Sequence, residues 1–202
     1  MGLLNTILNI VFPVKCLSCG ENEKELCVKC LSESPTAERE TAKWIFSLYD
    51  YRHPPIKKAL WFLKYKGKKR LANVFAEILY DKILEELSDL IIMENFNHPI
   101  LIPIPLSAKR YKERGYNQAE LICKELIRLS KTNHLTPPLD SLGAPLSLIR
   151  RGAGGEVFTL ENNILIKPKE TEHQARILNR EKRLKNIVGS FAIINENKIA
   201  KS

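Results

Sequence analysis

Cys16, Cys19, Cys27 and Cys30 form two Cys-x-x-Cys pairs separated by seven residues. Such a turn aims two sulfurs at one point, and two turns complete the tetrahedral thiolate shell that zinc takes at about 2.3 Å. Four thiolates leave no coordination position for water or substrate. The expected zinc is therefore structural and supplies folding energy to a segment too short to build its own core. A redox dithiol, an iron–sulfur cluster and four free thiols are the alternatives that this spacing leaves. The fifth cysteine, Cys123, reads as a small apolar helix residue.

A second set of residues is cationic. Ser107, Lys109, Arg110, Arg114, Gly115, Asn117 and Gln118 follow the apolar run Ile100 to Ile104 and lead into a helical pattern. Loops at the carboxyl ends of α/β strands bind ligands, and helix amides with Arg forks favour phosphate or pyrophosphate. A solvated basic loop, with Asn117 only capping its helix, fits the same residues. The run from Lys64 to Arg70 has three readings: lining the same cleft, touching a nucleic-acid backbone with Tyr65 stacked on bases, or a charge cluster at a helix end. Arg176, Arg180, Lys182, Arg183 and Lys185 fall within about two and a half helical turns, so several share a face that suits phosphates or plain solvation. Gly152, Gly154 and Gly155 precede no Gly-Lys-Ser/Thr and read as a hairpin turn. His53, His98, His134 and His173 stand in no HExxH or nucleophile arrangement, which leaves hydrolase chemistry without support.

The elements that must hold these groups follow from periodicity. Leu3, Leu4, Ile7, Leu8, Val11 and Phe12 suggest a short amphipathic helix stopped by Pro13, with neither the basic start nor the cleavage site of a signal peptide. Leu31 to Glu40 is polar and linker-like, which places a domain boundary near residue 40. Trp44 to Tyr51 predicts a strand. Ile56, Ala59, Leu60 and Leu63 predict a helix ending at Gly67, and Leu71 to Leu87 predicts a longer one. Ile100 to Ile104 predicts a buried strand ended by Pro103 and Pro105. Asn117 with Glu120 predicts a capped helix. Leu146 to Arg150 and Glu156 to Leu160 suggest a hairpin, Thr171 with Gln174 a second capping box before a basic helix, and Ser190 to Ile194 a strand after Gly189. Strands alternating with helices make the expected class α/β.

The whole composition agrees with a folded chain. Its 202 residues are 44% hydrophobic and 27% charged, and 32 Lys and Arg against 23 Asp and Glu give a net charge of +9. That balance favours phosphates, nucleotides or nucleic acid over basic partners. No apolar run reaches the roughly 20 residues of a membrane-spanning helix. Paired thiols suited to a metal point to the cytoplasm rather than to a secreted disulfide framework.

Several motifs in order resemble the ComF (ComFC) family: the apolar N-terminal helix, the four cysteines, Leu63-Lys64-Tyr65-Lys66-Gly67, and Ile102-Pro103-Ile104-Pro105-Leu106 through Arg110. Arg114-Gly115-Tyr116-Asn117-Gln118 and Thr171-x-x-Gln174 complete the series. The resemblance runs over nearly the whole chain. It implies a four-cysteine zinc ribbon over residues 1–40, joined to a type I phosphoribosyltransferase-like, Rossmann-like sheet with flanking helices over 41–202. It also implies a part in DNA uptake and natural transformation. It assigns phosphoribosyl pyrophosphate or pyrophosphate contacts to Lys109, Arg110, Arg114, Asn117, Gln118, Arg180, Arg183 and Asn186. The acidic pair and Thr-x-Gly-x-Thr loop, which hold the ribose hydroxyls and 5′-phosphate in that fold, are missing from the sequence to Ser202. An incomplete sheet without transferase activity is therefore expected, with Mg²⁺ and phosphoribosyl pyrophosphate bound only if that loop is supplied. Two other readings stand beside this one: a non-enzymatic, zinc-dependent adaptor for single-stranded DNA or a competence helicase-type partner, and a truncated remnant without function.

Overall fold

The computed structural model describes residues 13–22, 24–37, 45–94, 96, 99–132 and 157–199. Trp44, His98, His134, the expected helix from Leu3 to Phe12, the expected strand Leu146 to Arg150 and the three glycines after it lie outside these residues. So does the expected boundary near residue 40. The chain divides into two compact units, Met1–Val74 and Phe75–Ser202.

In the first unit, backbone hydrogen bonds close the first cysteine pair into a tight turn. Cys16 N donates to Glu21 O at 2.7 Å, Leu17 N to Glu25 O at 2.8 Å, and Gly20 N to Cys16 O at 3.0 Å. Gly20 has φ +79°, a left-handed value that glycine adopts without the Cβ penalty. Helix α1, Val28–Ser32, starts directly after Cys27 and carries Cys30 on its buried side, next to the fully buried Leu26. Helix α2, Pro54–Tyr65, begins with proline where no intrahelical N–H is needed and buries Ile56, Ala59 and Leu63. It ends before Gly67, whose φ is +66°. The strand expected over Trp44 to Tyr51 is reduced, among described residues, to one antiparallel bridge between Thr36 and Tyr49. Pro35 precedes Thr36 and has no N–H with which to extend the ladder.

Helix α3, Leu71–Glu94, matches the second helical pattern. Its Ala76, Tyr80 and Leu87 join Leu126, Val157 and Phe158 in the buried core of the second unit. Tyr80 and Phe158 meet edge to face, with centroids 6.3 Å apart. Strand β1, Ile100–Leu101, pairs in parallel with β2, Thr159–Leu160. Thr159–Leu160, at the end of the segment expected as one hairpin strand, makes this parallel pair, and the expected hairpin partner lies outside the described residues. Helices α4, Ala108–Arg114, and α5, Gln118–Thr132, follow β1, and α5 packs on β2. Strand β3, Leu165–Ile166, pairs antiparallel with β4, Ala192–Ile193, across helix α6, Arg180–Ile187. Helices with short strands bear out the α/β class; among the described residues the strands form two separate pairs.

Capping explains one success and one correction. Asn117 Oδ1 accepts from Ala119 N at 3.0 Å and so caps α5, as expected. Glu120 does not complete the box, since it pairs with Lys124 at 2.6 Å. Thr171 and Gln174 do not open the basic helix. The Thr171 hydroxyl accepts from Lys167 Nζ at 2.9 Å, Gln174 to Arg176 make a single 3₁₀ turn, and Asn179 caps α6 by accepting from Lys182 N at 3.1 Å.

Candidate metal centre and anion-binding surface

The turn and α1 bring the four cysteine sulfurs within 4.8 Å of one another. Cys16 and Cys30 sulfurs are 3.9 Å apart, and those of Cys19 and Cys27 are 3.5 Å apart. A tetrahedron of sulfurs about 2.3 Å from a central ion has edges of about 3.8 Å, so this cluster has the dimensions to hold one. Burial pushes the Cys16 thiol up, but the N–H groups of Cys19, Cys27 and Ser18 outweigh it and bring the pKa to about 6. At Cys30 the Ser18 hydroxyl lowers the pKa, while burial and the neighbouring thiols carry it up to about 12. One thiolate is easily formed here and further ones repel it. A bound cation removes that conflict, because it is the counter-charge that four thiolates need. Lys58 Nζ donates to Leu17 O inside the first cysteine pair and ties α2 to the turn.

In the second unit, Pro103 and Pro105 turn the chain out of β1 and Ser107 starts α4. The Ser107 hydroxyl donates to Glu170 Oε2 at 2.7 Å and Lys109 N donates to Glu170 Oε1 at 3.0 Å. These two donors, followed by the charges of Lys109 and Arg110, hold the Glu170 carboxyl below its usual range. The Lys167 ammonium is lowered by burial first and then by Arg110, with Glu170 acting against them; it lies 4.9 Å from the Phe191 ring centre. His173 is lowered by burial, then by Arg110, Arg176 and Arg114, so the neutral ring is favoured. α4 ends at Gly115, φ +78°, whose N–H returns to Tyr111 O at 2.7 Å. Arg114 hydrogen-bonds the Gln118 side chain.

Of the residues assigned to pyrophosphate, Lys109, Arg110, Arg114, Asn117 and Gln118 stand together on this loop and its two helices. Asn117 is buried and structural: its Nδ2 donates to Ile104 O at 3.0 Å while Oδ1 caps α5. Asn186 grips the backbone of Glu172 through both amide atoms, at 3.0 and 3.2 Å. Arg180 and Arg183 are exposed on α6, and no described contact joins them to Arg110. The structure adds Glu170, Lys167 and His173, which sequence reasoning missed or passed over. Their run, Lys167-Pro168-Lys169-Glu170, has no chemical spacing to mark it, and only the fold carries it to Ser107.

Among the described residues no helix is long and apolar enough to cross a membrane. No protein-family model matches the chain, and no solved structure matches it. Competence protein ComFC of Bacillus subtilis is 33% identical over 84 residues, 42% of this chain and 32% of that protein. DNA utilization protein YhgH of Salmonella typhi is 26% identical over 103 residues, 50% of this chain and 40% of that protein. The aligned part is thus less than half the length of each curated relative. The similarity to ComFC and YhgH, with four converging cysteines that suit a zinc ribbon, bears out the resemblance to the ComF family over about half of this chain.

Proposed function

We propose that this chain acts in DNA uptake or utilisation, as the names of its relatives suggest, with a zinc-held N-terminal module and a phosphoribosyltransferase-like anion site. The cysteines hold zinc, and the protein works in the cytoplasm, where thiols stay reduced. Residues 1–40 form the ribbon module and 41–202 the second domain. The anion site takes phosphoribosyl pyrophosphate or another phosphorylated ligand and needs no transferase chemistry.

The observation that carries this reading is the convergence of Arg110, Arg114, Arg176 and Lys167 around His173 and Glu170. Burial first, and then the neighbouring arginines, lower Lys167 and His173; that positive field favours an incoming anion, and a pyrophosphate supplies more charge than the single Glu170 carboxylate. The chain's own part is binding. Arg110 and Arg114 offer planar donor forks, and Ser107 and the Lys109 amide change partner when Glu170 gives way.

Calorimetric titration of the zinc-loaded chain with Mg²⁺ and phosphoribosyl pyrophosphate, and separately with pyrophosphate, tests it. Arg110→Ala is expected to weaken binding about 10- to 100-fold, the scale of one charged hydrogen bond. No heat with either ligand would remove the anion site. Unchanged DNA uptake after loss of the gene would remove the cellular half.

A further inference from the structure

Helix α2 has two opposite faces. Ile56, Ala59 and Leu63 are buried, while Trp61 and Tyr65, one turn apart, are 45% and 46% exposed. Their ring centres lie 6.2 Å apart with planes at 48°, and Lys66 Nζ sits 5.2 Å from the Trp61 ring centre. From Lys57 to Arg70 the chain carries seven Lys and Arg residues and no Asp or Glu. Past α2, Gly67 turns the backbone, and Lys68, Lys69 and Arg70 follow, all exposed.

An ordinary solvated helix mixes both charge signs and exposes few large aromatics. An anionic lipid surface needs a broad exposed apolar face, which α2 has turned inward. Two exposed rings on a run of residues rich in cations and holding no acidic residue of its own match a polyanion whose repeating unit also has a flat apolar surface. We propose that Trp61 and Tyr65 are a stacking platform for unpaired bases of a single-stranded nucleic acid, with Lys66, Lys68, Lys69 and Arg70 tracking its phosphates. This inference rests on the DNA-handling reading above and locates the strand on the first unit. Lys66 leaves the Trp61 face readily, since a cation–π contact at an exposed site is weak and a phosphate is the stronger partner.

The test uses the zinc-loaded full chain and fluorescein-labelled oligo(dT), oligo(rU) and a DNA duplex, read by anisotropy at several salt concentrations. The unpaired DNA and RNA strands are expected to bind alike, because stacking ignores the 2′-hydroxyl, and the duplex more weakly. Replacing both Trp61→Ala and Tyr65→Ala should weaken strand binding at least about 10-fold with little change in salt dependence, while Trp61→Phe with Tyr65→Phe keeps most of it. Lys68→Gln with Lys69→Gln should lower the salt slope by about 0.7 per lost phosphate contact. Equal strand affinity of the double alanine variant and wild type, with matching circular dichroism and zinc content, overturns the platform and leaves DNA handling standing. Such equality is also the result if the rings serve a protein partner. Failure of the wild-type chain to bind any strand overturns both, as duplex preference overturns the platform.

Discussion

Glu170 is where a single residue decides most. Its ionised carboxylate accepts from the Ser107 hydroxyl and the Lys109 amide, and its pKa is lowered in the folded chain. A depressed carboxylate pKa adds stability that is complete above the unfolded value, near about 4.3, and is lost as pH falls through the lower folded value. Glu170→Gln is therefore expected to lower the melting temperature at neutral pH, and the gap from wild type should close on acidification below the usual carboxylate range. A gap that stays constant with pH would show that the charge is immaterial. Nothing in Lys167-Pro168-Lys169-Glu170 announced this role, whereas the cysteine quartet was legible at once. A metal shell imposes its own spacing on the sequence; a long-range carboxylate cap imposes none.

Helix starts were readable where one side chain does the work locally. Asn117 caps α5 from within the adjacent residues, so its pattern is visible in order along the chain. Asn117→Ala should cost about 1–2 kcal/mol in denaturant unfolding, at the upper end because the Ile104 carbonyl also loses its donor. Less than about half a kcal/mol would mean that water replaces both bonds. The Thr171–Gln174 pattern misled because Lys167, four residues earlier in the chain, took the hydroxyl that a capping box needs. Strand direction was equally hidden. Nothing in Thr159 and Leu160 themselves names the partner, and only the fold brings them beside Ile100–Leu101.

The molecule is built from two units with separate supports. Leu26, Ile56, Ala59, Leu63 and Leu71 are buried in the first, while Tyr80, Leu126 and Phe158 anchor the second. Chelation of the metal is expected to open the first unit to protease near residues 16–30 and leave the second protected, seen as two transitions in limited proteolysis. Phe158→Ala should do the reverse at a cost of about 3–5 kcal/mol, leaving any metal held by the four cysteines in place. A single shared transition in both experiments would mean that the units fold only together. The α/β class and the helices were legible because periodicity reports a buried face; the pairing of strands was not, because it depends on residues far apart in sequence.

The double grip of Asn117 has a kinetic consequence. One side chain holds the Ile104 carbonyl and the Ala119 amide, and so pins together the two ends of the loop that carries Lys109, Arg110 and Arg114. Within it, the Lys109 and Gly115 amides are held by Glu170 and by Tyr111. In deuterated water these amides should exchange in step with that of Ala119, because the loop can only open as one piece once its base is released. On the proposed anion-binding reading, the arginines would then meet an incoming anion as a preassembled set, and the rate at which the loop admits it would be set at its base.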